Sequence, residues 1–181
     1  MKKILIVALL SSFAVPPAFA DNTGKMYIGG DFGSTTFSNM SPFPNPRAIR
    51  AVLGYHLTPN IAAEAGYSVF GDSTHTYTGF GGSTTLSTRS FQVAAIGSLP
   101  LISDFDLTGK IGFTRNRGEL TNTTGVSDDQ INRGVIWGVG AQYHLGSRTT
   151  LRLQYEDYGD FFNYSPAIGA TAVSLGVLFG F

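Results

Sequence analysis

From residue 26 onward, apolar and polar side chains alternate with period two, interrupted at intervals by runs of Gly, Ser, Thr, Asn and Pro. Such alternation marks a strand whose two faces meet different surroundings. Eight alternating segments follow one another: 26–37, 47–57, 61–70, 88–99, 105–115, 134–145, 149–158 and 171–181. Each is about as long as the ~9–11 residues that a tilted strand needs to cross bilayer hydrocarbon. None carries a helical period.

The connections alternate in length. Short turns are expected at 58–60, 100–104 and 146–148, and long loops at 38–46, 71–87, 116–133 and 159–170. Short turns on one side of a membrane and longer loops on the other are the habit of outer-membrane barrels. The order places both chain ends on the short-turn side and requires an even strand number.

From the second segment onward, odd positions are apolar or aromatic: Ile49, Leu53, Val93, Leu107, Ile111, Val139, Leu153, Leu175 and Val177 among them. Even positions hold Arg50, His56, Glu64, Gln92, Lys110, Gln142, His144, Arg152, Gln154 and Glu156. The first segment has the opposite phase, with Met26, Ile28 and Phe32 on one face and Asp31 on the other. Periodicity alone does not say which face is inside, and a soluble lipocalin-like barrel would turn the apolar face inward. The aromatics favour lipid. Threading the strands up and down puts Tyr67, Phe91, Phe113, Trp137 and Tyr155 near the loop end, and Tyr55, Phe105, Tyr143, Phe179 and Phe181 near the turn end. Two aromatic belts on one face suit two membrane–water interfaces. The fold expected is all-β: an eight-stranded antiparallel up-and-down transmembrane β-barrel with short periplasmic turns and long extracellular loops.

Composition agrees. Of 181 residues only 13% are charged, against 43% hydrophobic, with 23 Gly and 13% aromatic. Residues 1–20 read as a signal peptide: Lys2 and Lys3, an apolar stretch from Ile4, and an Ala18-Phe19-Ala20 cleavage site. Residues 21–181 are then the barrel domain, with net charge −2 after two of the 12 basic residues are removed against 12 acidic ones. That balance gives no reason to expect nucleic acid as a partner. With no Cys, disulfides, thiolate metal sites and lipid-modified Cys are excluded.

Inside the barrel, Asp31, Glu64, Asp106 and Glu156 are expected to face Arg50, Lys110 and Arg152. An eight-stranded interior is just wide enough for side chains to fill it, and charges there must pair or be hydrated. A polar plug follows, with a gated pore as the alternative. On the lipid-facing phase at the loop end stand Arg47, Arg89, Arg115, Arg117 and Arg133. Guanidinium groups at that height suit phosphates, so lipopolysaccharide and outer-membrane lipid are the expected partners; plain snorkelling is the alternative. His56, His75 and His144 lack metal-site spacing, and no nucleophile–base pattern is visible. Neither catalysis, a metal nor a cofactor is expected. Tyr77 and Phe80 in the second long loop supply a candidate adhesive surface.

The runs Leu53-Gly54-Tyr55-His56-Leu57-Thr58-Pro59-Asn60 and Ala63-Glu64-Ala65-Gly66-Tyr67 resemble the membrane domain of outer-membrane protein A and its small barrel relatives. So do Gly140-Ala141-Gln142-Tyr143, Leu151-Arg152-Leu153-Gln154-Tyr155 and the Ser174-Leu175-Gly176-Val177 stretch that leads to Phe181. The resemblance spans the mature chain and implies an eight-stranded, up-and-down barrel; a monomer is expected. The resemblance also implies that Phe181 belongs to the signal read by the barrel-assembly machinery. Because the sequence stops at that strand, the wall-binding domain that larger members carry is not expected. In that family a glutamate–arginine pair acts as a gate; Glu64 and Arg152 stand at its positions, and Lys110 at that of a further basic residue. Gln142 and Ile96 replace two other members of the pattern, which puts ion-pair switching in doubt. The reading is a structural or surface barrel protein; the alternatives are a small gated pore and an adhesin.

Overall fold

Eight antiparallel strands close into one ring in chain order: β1 (Met26–Phe37), β2 (Arg47–Thr58), β3 (Ile61–Tyr77), β4 (Gly82–Ile102), β5 (Phe105–Asn122), β6 (Ser127–His144), β7 (Thr149–Phe162) and β8 (Ile168–Gly180). The computed structural model describes residues 22–39, 45–77, 82–123, 125, 127–162 and 165–181. The expected signal segment 1–20 and Phe80 lie outside them. β1 and β8 pair from Tyr27↔Gly180 to Phe37↔Ala170. The seam is finished by Phe181, whose N–H donates to the Met26 carbonyl at 2.9 Å while Met26 N–H donates back at 3.2 Å. Closure leaves no open edge within the bilayer, where every backbone group must be satisfied internally.

The alternation becomes an inside and an outside as expected. Odd positions from β2 onward point out and even ones in, with the phase reversed in β1. Apolar side chains such as Phe113, 74% exposed, and Ile111, 64% exposed, form the outer surface. This excludes the lipocalin-like arrangement.

Three expected loops are corrected. β3 and β4 stay paired out to Tyr77↔Gly82, β5 and β6 to Thr121↔Ser127, and β4 and β5 to Thr84↔Asn122. Most of 71–87 and 116–133 is therefore a four-stranded sheet rising beyond the aromatic belt, and 159–170 begins and ends in strand. The inner face of that sheet packs on the barrel interior through Leu86 and Leu120, but the sequence is so rich in Ser and Thr that too few apolar residues remain to show an apolar–polar alternation. The turn at 59–60 is held by Thr58 Oγ1, which accepts from Ile61 N–H at 3.0 Å.

The lumen was expected to be polar; its charged middle is flanked by an apolar cluster on either side. At the turn end Tyr27, Val52, Ala62, Ile96 and Leu178 form one buried apolar cluster. At the hairpin end Phe70, Leu86, Ile136, Tyr158, Phe161, Phe162 and Ile168 belong to a second, larger one. Its rings meet edge to face: Phe70 with Tyr158 at 5.1 Å and with Phe161 at 5.4 Å, and Phe37 with Phe161 at 5.9 Å. A register shift in β7 between Asp157 and Asp160 breaks the two-residue rhythm, with Gly159 at φ +69°. Glycine takes that backbone conformation without a Cβ clash. Beyond the shift, Phe161 and Phe162 are both fully buried.

Candidate functional site

Between the two apolar clusters, six charged side chains form a closed ring of alternating sign. Arg50 on β2 donates through Nε to Asp31 Oδ2 on β1 at 2.8 Å. Asp31 accepts in turn from Arg152 on β7, Nε at 3.1 Å and Nη2 at 2.7 Å. Arg152 Nη1 reaches Glu64 Oε2 on β3 at 2.5 Å. Glu64 Oε1 accepts from Lys110 on β5 at 3.1 Å, and the same ammonium reaches Glu156 Oε1 on β7 at 2.8 Å. Glu156 closes the ring on Arg50. All six are buried.

The register explains the convergence. Asp31 and Arg50 are cross-strand partners, and Arg152 and Asp31 both stand opposite Gly176 on the intervening β8. Tyrosines complete the shell. Tyr27 donates to Glu64 Oε2 at 3.1 Å, and Tyr158 to Glu156 Oε2 at 3.2 Å. Gln154 Oε1 accepts from Arg50 Nη2 at 2.5 Å. Three cations and three anions leave no net charge, and each carboxylate has at least three donors. That is the condition under which buried charges persist.

Six of the seven charges expected in the lumen — Asp31, Arg50, Glu64, Lys110, Arg152 and Glu156 — therefore meet in one network. Asp106 is corrected: it sits near the turn rim, where Oδ2 meets His144 Nε2 at 3.0 Å. Ile96 is in the turn-end apolar cluster, and Gln142, although opposite Arg152 in register, adds no charge. Tyr158 lies on the inward phase of β7 and was legible from parity. Phe161 was not, because the bulge that turns it inward leaves no hydrophobic signature.

His144 Nδ1 also meets Thr150 Oγ1 at 2.9 Å, so Thr150, His144 and Asp106 form a hydroxyl–imidazole–carboxylate chain. His144 and Thr150 are direct partners in the β6–β7 hairpin. The chain clasps β5, β6 and β7 at the mouth of the barrel.

The expected belt residues face outward. Tyr67, Phe91, Phe113, Trp137 and Tyr155 near the hairpin end are exposed, as are Tyr55, Tyr143, Phe179 and Phe181 near the turn end; Phe105 is half-buried. Arg47, Arg89, Arg115, Arg117 and Arg133 are all exposed on the outer face. Among the described residues, no group of three His, Asp or Glu is arranged to hold a metal.

A ring of eight strands, apolar outside and charged within, is a transmembrane β-barrel. The chain belongs to the outer membrane protein beta-barrel domain family, which it matches over residues 5–181. No curated protein matches it by sequence. Solved structures with the same fold include Ail, the attachment invasion locus protein of Yersinia pestis, in complex with the heparin analogue sucrose octasulfate. It is 12% identical with a TM-score of 0.64, covering 88% of this chain and 99% of Ail. The N-terminal barrel of Pseudomonas aeruginosa OprF is 16% identical at a TM-score of 0.64, covering 88% and 98%. Neisserial surface protein A is 15% identical at 0.67, covering 85% and 96%. In outer-membrane barrels short turns face the periplasm and longer connections the exterior. The turn rim here is thus periplasmic and the hairpin sheet extracellular.

Proposed function

We propose that this protein is a closed, monomeric, non-enzymatic barrel of the bacterial outer membrane that serves a structural and surface role and conducts no solute. The observation that carries this reading is the ring Arg50–Asp31–Arg152–Glu64–Lys110–Glu156, capped by the aromatic cluster around Phe161. An ion would have to pass two barriers of different kinds, one of paired charge and one of packed rings. Phe181, hydrogen-bonded into the β1–β8 seam, is suited to the assembly signal that the barrel-assembly machinery reads.

Planar-bilayer recording of the refolded full chain tests the reading. No unitary current above the bare membrane is expected. Reproducible channel openings at neutral pH would overturn it in favour of the small gated pore.

A second reading, an adhesin, is favoured by one observation: the β3–β4 and β5–β6 hairpins join into a sheet that stands clear of the membrane. The name of the Yersinia neighbour, attachment invasion locus protein, is consistent with surface attachment on this fold. Shortening both hairpins to the belt, with the barrel intact, should abolish host-surface binding if the protein has that role.

A further inference from the structure

We propose that Arg89, Arg115, Arg117 and Arg133 form an anion site on the outer wall that takes a doubly phosphorylated lipid headgroup, that of lipopolysaccharide, from the membrane side. This surface lies outside the barrel and is independent of whether the lumen conducts.

The first argument is register. Arg89 stands directly opposite Arg117 across β4 and β5, and Arg115 directly opposite Arg133 across β5 and β6. All four point outward. Directly opposed residues on one face have Cβ atoms about 5 Å apart, and like charges so placed repel. Two such pairs side by side gain nothing within the protein. Arg117 is held by a carboxylate, its Nη2 meeting Asp129 Oδ2 at 2.6 Å, and Arg89 feels the same carboxylate only at longer range. Among the described residues, Arg89, Arg115 and Arg133 form no ion pair.

Height and size point to the ligand. Arg115 faces Phe91 across the β4–β5 pair and follows Phe113 on the same face of β5. Arg133 is two outward positions above Trp137 on β6, so the guanidinium groups stand just above the aromatic belt, at headgroup level. Arg115 and Arg117 are ~7 Å apart along β5, and β4 to β6 spans ~10 Å. That patch is large enough for two anionic groups on one headgroup, each gripped by a planar guanidinium fork.

Direction of approach favours a lipid over a soluble polyanion. One step further from the membrane on the same face, Glu119 stands opposite Asp129. A soluble polyanion arriving from outside meets those carboxylates first, whereas a headgroup reaches the arginines from below. Arg47 supplies the internal control. It is outward on β2, separated from Arg89 by β3, and opposite Ser34 on β1, so it belongs to no arginine pair.

The experiment uses the full chain folded into phosphatidylcholine vesicles with and without diphosphoryl lipid A. Thermal unfolding is followed by the heat-modifiable shift on gels. In phosphatidylcholine alone, the triple variant R89Q/R115Q/R133Q should melt above the wild type, because repulsion is relieved. With lipid A the order should reverse, since only the wild type is stabilised. R47Q should follow the wild type in both. An unchanged order in the two membranes, or R47Q behaving like the triple variant, would overturn the proposal in favour of snorkelling. If a soluble heparin fragment stabilises the wild type in plain phosphatidylcholine as strongly as lipid A does, and the triple variant loses both effects, the lipid source is overturned. Should the triple variant not fold, R115K decides. It keeps the charge but not the fork, so the lipid A shift should fall at least threefold; a full shift would sink the phosphate assignment.

Discussion

Arg152 and Asp31 grip each other side-on, Nε to Oδ1 at 3.1 Å and Nη2 to Oδ2 at 2.7 Å, across a strand that belongs to neither of them. The β8 residue between them in register is Gly176. A Cβ there would stand 2.7 Å from Asp31 Cγ and 2.7 Å from the Gly30 carbonyl oxygen. The missing side chain is what lets the clasp form.

Gly176→Ala should therefore lower stability by roughly 1–3 kcal/mol, the usual cost of overpacking. Urea titration of the folded barrel in vesicles measures it. Gly97 faces open space, with nothing within 4 Å of an added Cβ, so Gly97→Ala should leave the midpoint close to that of the wild type.

Arg152→Met removes one cation from a ring of three and three, leaving Asp31 and Glu64 each short of a partner. Breaking a buried pair in this way costs about 3–5 kcal/mol. Adding Glu64→Gln to Arg152→Met restores neutrality and should recover about 0.5–3 kcal/mol, the coupling usual for contacting residues. Strictly additive losses in the double-mutant cycle would mean that Arg152 and Glu64 do not act as a pair.

The two barriers act in series, so neither alone governs conductance. Phe161→Ala leaves the ion ring in place and should destabilise by about 3–5 kcal/mol without opening a channel. Arg152→Met should also remain silent in a bilayer, because Phe70, Phe161 and Phe162 still fill the hairpin end. Current is expected only when ring and aromatic cluster are disrupted together. Openings from Arg152→Met alone would show that the rings do not seal.

The exposed Arg117–Asp129 pair predicts a pH effect confined to the β5–β6 hairpin. The Arg117 hydrogen bond, with its charge, holds the Asp129 carboxyl below its ordinary value. A carboxyl lowered on folding stabilises above its unfolded pKa, ~3.9, and that contribution is lost as pH falls through the lower folded value. Amide exchange in the hairpin should therefore be faster in Asp129→Asn than in the wild type at neutral pH, and the two should converge in strong acid. Being solvent-exposed, the difference should also shrink as salt is raised. A difference that persists at low pH would refute the assignment.

How much of this was readable in advance varied with environment. Glu64, Lys110 and Arg152 could be assigned to one interior because lipid on one face and lumen on the other impose a period of two. The same contrast located Tyr55, Phe91 and Trp137 on the outer face. Where Ser and Thr occupy both faces, as in 73–76 and 83–87, the contrast is nearly absent even though Leu86 is buried, and strands resembled loop. Where a bulge shifts the phase, as at Gly159, the burial of Phe161 could not be deduced from its number.

By itself, the sequence determined strand count, up-and-down order, the outward face and, Asp106 apart, the membership of the charged interior. These follow from local alternation, a property that each strand carries without reference to the others. Only the tertiary structure decided that the charges close into a six-membered ring, that aromatic rings seal the hairpin end, and that four arginines meet as opposed pairs. Those relationships depend on register between strands and on the width of the closed barrel. They bring together residues as far apart as Asp31 and Arg152, and no local pattern encodes such a distance.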